Sequence, residues 1–303
     1  MYKKILLTGA NGQVGHALQR ALSSKTSLAH SVISLDRSQL DLTDHDEIRR
    51  VIQMIKPDLI INPAAYTAVD KAETEPELAY AVNATGPRIL AEEAAKIGAR
   101  LIHFSTDYVY NGSKSSPYTE DDVTEPLSLY GKSKLAGEDA IRAVGLQHLI
   151  FRTSWVYDIY RENFLKTILR LAGERDELRI VADQIGAPTS SNSIAKATLS
   201  VMNRWQDETG VYHLVNAGKT SWHGFATAIV EEYSCLQRVR GWPLLKVTPA
   251  NIQAITTEEY SAPALRPANS CLDCSKLERD FSVELPGWRD ALRAELQLLN
   301  YKV

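Results

Sequence analysis

Short apolar runs alternate with longer stretches of helical period through the first half of the chain. The runs Lys4–Thr8, Val32–Asp36, Leu59–Pro63, Arg100–Ser105 and His148–Thr153 have the length and flanking residues of buried strands. Between them, apolar positions recur at the period of helices over Gly12–Leu22, Asp44–Ile55, Glu77–Ile97 and Lys132–Ala143. Strand and helix in this alternation predict a Rossmann-type α/β fold, a doubly wound parallel sheet with helices on both faces. After about Thr153 the rhythm loosens. A helix is predicted around Asn163–Ala172, a strand at Leu178–Ala182, and helices near Asn192–Arg204 and Ser221–Cys235. Pro243, Pro249, Pro263 and Pro267 then punctuate an irregular stretch before an amphipathic helix at Trp288–Leu299. The pattern predicts a Rossmann domain over residues 1–153, to which a segment of about 183–220 returns. A smaller C-terminal α/β domain is expected mainly over 154–303.

Composition narrows the choice of partner. With 303 residues and 44% hydrophobic content, the chain can bury a full core and exceeds the usual size of one compact domain. The charged fraction is 23% and the formal net charge -3, so no long-range field favours nucleic acid or an anionic membrane surface. A small-molecule partner is expected. Cys235, Cys271 and Cys274 are an odd number in a long chain, which argues against a disulfide framework and for a reducing compartment. No apolar run approaches the roughly 20 residues that span a bilayer. Met1-Tyr2-Lys3-Lys4 leads straight into a strand rather than a signal peptide, so a cytoplasmic protein is expected.

Gly9-Ala10-Asn11-Gly12-Gln13-Val14-Gly15 follows the first predicted strand and opens the first predicted helix. In that setting a GxxGxxG run has physical meaning. The first glycine turns the chain, the second lets backbone N–H groups approach a pyrophosphate at the helix N-terminus, and the third admits close helix–strand packing. Asp36 ends the second predicted strand 21 residues beyond Gly15, where a carboxylate accepts hydrogen bonds from an adenosine ribose. Arg37 beside it is suited to a 2′-phosphate instead. Both NADPH and NADH therefore stay open. Gly9, Asn11, Gly12, Gln13, Val14, Gly15, Asp36 and Arg37 are the cofactor-binding candidates.

Tyr130 and Lys134 stand four residues apart near the start of a helix, where such side chains are neighbours. An ammonium beside a phenol favours the phenolate, so Lys134 is expected to lower the Tyr130 pKa and fit it for proton exchange with a carbonyl or alcohol oxygen. Ser105-Thr106-Asp107 falls at the carboxyl end of a predicted parallel strand, where open α/β sheets bind ligands. A hydroxyl there can hold a carbonyl oxygen beside Tyr130. Together these residues supply what hydride transfer asks of a protein: a held nicotinamide, a polarised carbonyl and a proton donor. Hydrolase readings fail, because the chain lacks a GxSxG elbow and its seven histidines show no HExxH spacing.

Thr8–Gly15, Asn62–Glu73, Phe104–Tyr110, Tyr130–Glu138, Phe151–Tyr157, Asp183–Thr189, Tyr212–Val215, Thr220–His223 and Arg266–Ser270 resemble the extended short-chain dehydrogenase/reductase family, and within it the reductases of dTDP-linked 4-keto sugars. The resemblance implies a catalytic trio of Thr106, Tyr130 and Lys134. It adds Asp41, Leu42, Ala64, Ala65 and Thr67 to the cofactor site. Val69, Thr106, Asp107, Tyr108 and Trp155 are implied to meet the deoxysugar and Arg266 the nucleotide. The implied reaction is reduction of dTDP-4-dehydro-L-rhamnose to dTDP-L-rhamnose.

Sugar-nucleotide dehydratases of similar fold carry an Asp-Glu pair after the strand-end Thr. Here Tyr108 follows Asp107, so elimination lacks its second carboxylate. A related epimerase, and a non-catalytic dinucleotide-binding subunit like that of methionine adenosyltransferase, are the alternatives. Some family members bridge a dimer through glutamate-held magnesium. This chain has Ala17 and Asn192 at those places, so no metal is expected, with a monomer or homodimer as the assembly. The single CxxC at Cys271 and Cys274 is expected to be incidental.

Overall fold

Ile5, Leu7, Leu59, Ile61, Ile102 and Phe104 turn to one side of a parallel sheet, while Leu6, Ile60, Leu101 and Ile150 turn to the other. Both sides are buried, which is why these strands read as continuous apolar runs. The computed structural model describes residues 2–24 and 31–299. Its first half runs β1 (Lys4–Leu7), α1 (Gln13–Ser24), β2 (Ser31–Ser34), α2 (His45–Ile55), β3 (Leu59–Asn62), α3 (Val69–Ala72), α4 (Pro76–Tyr80), α5 (Gly86–Lys96), β4 (Arg100–Thr106), α6 (Leu129–Val144) and β5 (His148–Thr153). There follow β6 (Val156–Tyr157), α7 (Phe164–Glu174), β7 (Leu178–Val181), β8 (Ile185–Gly186), β9 (Thr189–Ser190), α8 (Ser191–Met202), β10 (Gly210–His213), β11 (Thr220–Ser221), α9 (Trp222–Arg240), β12 (Ile252–Ile255), α10 (Thr257–Tyr260), α11 (Ser275–Phe281) and α12 (Trp288–Gln297).

The main sheet has the order β2-β1-β3-β4-β5-β10, with every neighbouring pair parallel. The chain leaves β1 toward one edge and returns at β3 on the other side. Such a reversal opens a crevice beyond the carboxyl ends of the two strands. One face is covered by α2 and α5 through Ile48, Ile52, Ile89 and Leu90, the other by α1 and α8 through Leu18, Ile194 and Val201. A separate core forms around Tyr157, Ile168, Phe225, Ile229, Leu292 and Leu296, joining α7, α9 and α12. Among the described residues no helix is long and apolar enough to cross a membrane.

Two departures from the predicted elements bear on the site. The single helix expected over Glu77–Ile97 is broken by a π-helical turn at Ala81–Thr85. Pro87 has no N–H to give the Asn83 carbonyl four residues back, and its ring crowds that carbonyl, so the turn widens. In the Pro-rich stretch, Ile252–Ile255 forms β12 and pairs in parallel with β7, a contact too distant in sequence for local periodicity to reveal.

Candidate active site

The turn after β1 is built by close backbone approach. A Cβ on Gly15 would stand 2.1 Å from the Gly9 carbonyl oxygen, so α1 can start against the turn only with glycine there. A cleft of about 490 Å³ opens over this turn, lined by Gly9, Asn11, Gly12, Gln13 and Val14. Leu42, Ala64, Ala65 and Thr67 line it from beyond β2 and β3, and Arg37 and Asp41 from the loop after β2. Thr153 also lines it, its hydroxyl buried and without a protein partner.

The two devices at the end of β2 part company. β2 stops at Ser34, leaving Asp36 in the following turn, where its carboxylate accepts from Asn11 Nδ2 at 2.6 Å and from Ser38 Oγ at 2.6 Å. The hydrogen bond from Ser38 leads in holding its pKa below the usual carboxylate value. Asp36 is absent from the cleft wall, whereas Arg37 lines it, mostly exposed and paired with Asp41 at 3.1 Å.

Tyr130 and Lys134 enter the same cleft from α6. The Ser128 side chain caps this helix by accepting from Gly131 N at 3.2 Å, so α6 begins at Leu129 and Tyr130 stands in its first turn. Gly131 lies so close to the Asp107–Val109 turn that a Cβ would meet the Tyr108 carbonyl oxygen at 2.3 Å. That approach sets the Tyr108 and Tyr130 rings edge to face, 5.5 Å apart.

The electrostatics differ from the expectation. Burial raises the Tyr130 phenol well above its ordinary value; a hydrogen bond with Thr106 opposes the rise and the Asp107 charge adds to it. Lys134 does not bring it down, because its ammonium is engaged elsewhere: Nζ donates to the Phe104 carbonyl at 2.6 Å and lies 3.4 Å from His103 Nε2. Burial lowers Lys134 to about 8, partly countered by Glu138. The phenol thus holds its proton firmly, as an acid must before it donates.

Thr106 ends β4 and donates to Asp107 Oδ1 at 2.9 Å. Asp107 is almost fully buried with its other oxygen unpartnered, and burial pushes its carboxyl up to about 6. Ser105 lines the cleft and donates to Glu138 at 2.5 Å. Beyond Tyr130 and Tyr108, Val69 packs on the same apolar cluster. Arg266 reaches over from the loop before α11 to pair with Asp70 at 2.9 Å. Trp155 adopts a left-handed backbone, φ 48°, and stacks on Trp222 at 3.7 Å. Gly15, Asp36, Val69, Thr106, Asp107, Tyr108, Trp155 and Arg266 thus stand outside the cleft wall; Val69 and Tyr108 pack with Tyr130, and Thr106 and Asp107 act on its phenol.

Two sets of residues escaped the sequence. Arg161 and Glu162 line the cleft from a loop held by Asp158 Oδ1, which accepts from the backbone N–H groups of Tyr160 and Arg161. Asn83 in the π-helical turn clamps the Tyr66 backbone at both its N–H and C=O, 2.9 and 3.0 Å, and donates to Ser133 Oγ. A buried asparagine inside an apolar helical run was the available signal for the second. Nothing marked the first.

Residues 3–300 match the sequence profile of the family described as the RmlD substrate binding domain. The chain belongs to that family. It is 44% identical over 296 residues to the dTDP-4-dehydrorhamnose reductase of Burkholderia thailandensis, covering 95% of this chain and 96% of the relative. The Escherichia coli K12 protein of the same name is 44% identical over 299 residues, with 97% of each chain covered. The solved structure of the Bacillus anthracis dTDP-4-dehydrorhamnose reductase in complex with NADP superposes with a TM-score of 0.89 at 35% identity, covering 99% of this chain and all of that one.

The glutamate-held magnesium raised by the family resemblance does not suit the residues here. Ala17 offers no oxygen, and Asn192 turns its amide nitrogen to Glu295 Oε1 at 2.7 Å. No group of three or more His, Cys, Asp or Glu that could hold a metal ion occurs among the described residues. Cys271 and Cys274 are free thiols; burial raises both, Cys274 to about 12, which keeps them unreactive.

Proposed function

We propose that the protein reduces the 4-keto group of dTDP-4-dehydro-L-rhamnose to give dTDP-L-rhamnose, using NADPH or NADH. The observation that carries this reading is that Tyr130 and Lys134 open on the cleft formed by the Gly9–Gly15 turn. The cradle fits a dinucleotide: Gly15 admits α1 against the turn, and Thr153, whose hydroxyl has no protein partner, lines the same space. Bound there, the reduced cofactor supplies the hydride that reaches C4.

The protein's own part is acid catalysis and orientation. Tyr130 gives its hydroxyl proton to the sugar O4 as charge develops on that oxygen, and Lys134 supplies positive charge behind it. Thr106, tied to Asp107, directs the phenol, while Tyr108, Val69 and Trp155 receive the deoxysugar and Arg266 faces the nucleotide. Glycine-turn residues together with Leu42, Ala64, Ala65 and Thr67 carry the cofactor. The parallel sheet is the cofactor-binding unit, and the segments after residue 154 gathered around Trp155 and Trp222 form the sugar-binding one. Three free thiols among the described residues suit a cytoplasmic setting.

Mixing the purified protein with dTDP-4-dehydro-L-rhamnose and NADPH or NADH should consume the reduced nicotinamide. No consumption with either cofactor would turn the reading toward a dinucleotide-binding subunit. Because Arg37 lines the cleft and Asp36 does not, NADPH is the expected preference. Arg37→Ala should raise KM for NADPH about tenfold, the loss of one exposed charge-assisted hydrogen bond, and leave KM for NADH nearly unchanged. Equal effects on both cofactors would remove Arg37 as a reader of the 2′-phosphate.

A further inference from the structure

Lys134 is almost fully buried, yet no carboxylate pairs with it. Glu138, the acid whose charge bears on it, lies one turn along α6 and is spent on Arg152 at 2.6 Å and on Ser105. An ammonium removed from water needs an acceptor for each N–H it turns inward. Phe104 supplies one at 2.6 Å, and the other inward partner among the described residues is His103 Nε2 at 3.4 Å.

His103 is itself fully buried on β4 and does not end the chain of contacts. Its Nδ1 lies 3.0 Å from Asn62 Nδ2, and Asn62 Oδ1 accepts from Thr8 Oγ1 at 2.6 Å. Four polar side chains, Thr8 just beyond β1, Asn62 on β3, His103 on β4 and Lys134 on α6, therefore form one closed line from the start of the glycine turn to Lys134.

The line has two complete hydrogen-bond sets, one for each charge state of the lysine. With the Asn62 amide nitrogen toward Nδ1, the imidazole carries its proton on Nε2 and matches an amine at Lys134. With the amide turned over, Oδ1 accepts from Nδ1–H, Nδ2 donates to Thr8 Oγ1, and bare Nε2 accepts from an ammonium. Asn62 and Thr8 can serve both sets because an amide and a hydroxyl each donate and accept. The two sets differ by one proton.

We propose that His103, backed by Asn62 and Thr8, is a positioning residue for Lys134, accepting from its ammonium and so holding the charge behind Tyr130. This deepens the reductase reading and rests on it for its catalytic meaning. Burial foremost, then the charge of Lys134 and that of His148, lowers His103 far below the usual imidazole value, so the ring stays neutral as an acceptor must. The titratable groups that bear on the pair are Glu138 on α6, acting on Lys134, and His148 on β5, acting on His103.

The test is a direct titration of Lys134 by NMR of lysine-labelled protein without cofactor or sugar, the resonance being identified by its loss in Lys134→Arg. His103→Phe removes the acceptor and should lower the midpoint by about one pH unit, the scale of a hydrogen bond to a charged group. His103→Gln places an amide oxygen near the Nε2 position and should return the midpoint close to wild type. Should His103→Phe fail to fold, Asn62→Asp provides a shift of opposite sign: an acceptor-only carboxylate fixes the proton on Nδ1, leaves Nε2 bare, and raises the midpoint. A midpoint unmoved in a folded His103→Phe protein, or in Asn62→Asp where His103→Phe does not fold, overturns the proposal. Because the reading needs no turnover, a protein that failed to consume NADPH would sink the reductase assignment and leave this result standing.

Discussion

Tyr130→Phe is expected to lower kcat by about 10²–10⁴-fold while cofactor affinity stays within a factor of about two, the loss typical of a removed general acid. The substitution deletes one oxygen and keeps the ring, which still packs edge to face against Tyr108 and within the cluster of Ala72, Ala79 and Val69. The cleft therefore keeps its shape, and the effect should fall on the chemical step. Direction matters here. A phenol held above its ordinary value by burial is fully protonated at neutral pH, so it is armed as a donor in the reductive direction. Reduction should consequently hold through neutral pH. It should decline as pH rises past about 8, where Lys134 loses the ammonium charge it brings to the cleft. Oxidation of dTDP-L-rhamnose, which begins from the ionised phenol, should show the opposite trend. A Tyr130→Phe protein that retains normal turnover would exclude this residue as the proton donor, whatever family the chain belongs to.

The α/β alternation was readable because a sheet buried on both faces forces continuous apolar strands. Each intervening helix shows its own period, so the crevice could be placed before any side chain was. Tyr130 and Lys134 were legible for the same local reason, being neighbours on one helix turn. What spacing could not show was what lies behind Lys134. The Phe104 carbonyl and His103 approach it only because β4 packs under α6, and that contact decides where the ammonium points and why it does not lower the phenol. Asp36 lies off the cleft wall for an equally local but unforeseen cause. β2 ends two residues early, and the carboxylate folds back onto Asn11 and Ser38. Arg161 and Glu162 reach the cleft from more than a hundred residues beyond the glycine turn, on a loop whose polar composition gave no hint of where it would be held.

The largest loss of stability is expected from Glu138→Gln. Glu138 and Arg152 are both almost wholly buried and bonded at two points, Nε to Oε1 at 3.0 Å and Nη2 to Oε2 at 2.6 Å. The pair is the hub of a wider set: Ser105 donates to Glu138, and Arg152 Nη1 donates to Tyr110 Oη at 2.6 Å. Tyr110 Oη in turn meets His213 Nε2 at 2.8 Å. These contacts fasten α6 to β4, β5 and β10, so they hold the helix that carries Tyr130 and Lys134 in register with the sheet. Glutamine keeps the volume of the side chain but abandons the Arg152 charge in a site that water does not reach. Breaking a buried pair from one side costs about 3–5 kcal/mol, which for a chain of this size corresponds to a fall in Tm on the order of 10 °C. Removing both charges, in Glu138→Gln with Arg152→Met, should recover much of that loss, because the expense lies in the stranded charge more than in the attraction forgone. Thermal unfolding of the two variants decides the matter. A single mutant within a degree or two of wild type, or a double mutant no better than the single, would show that this buried pair does not hold α6 in place.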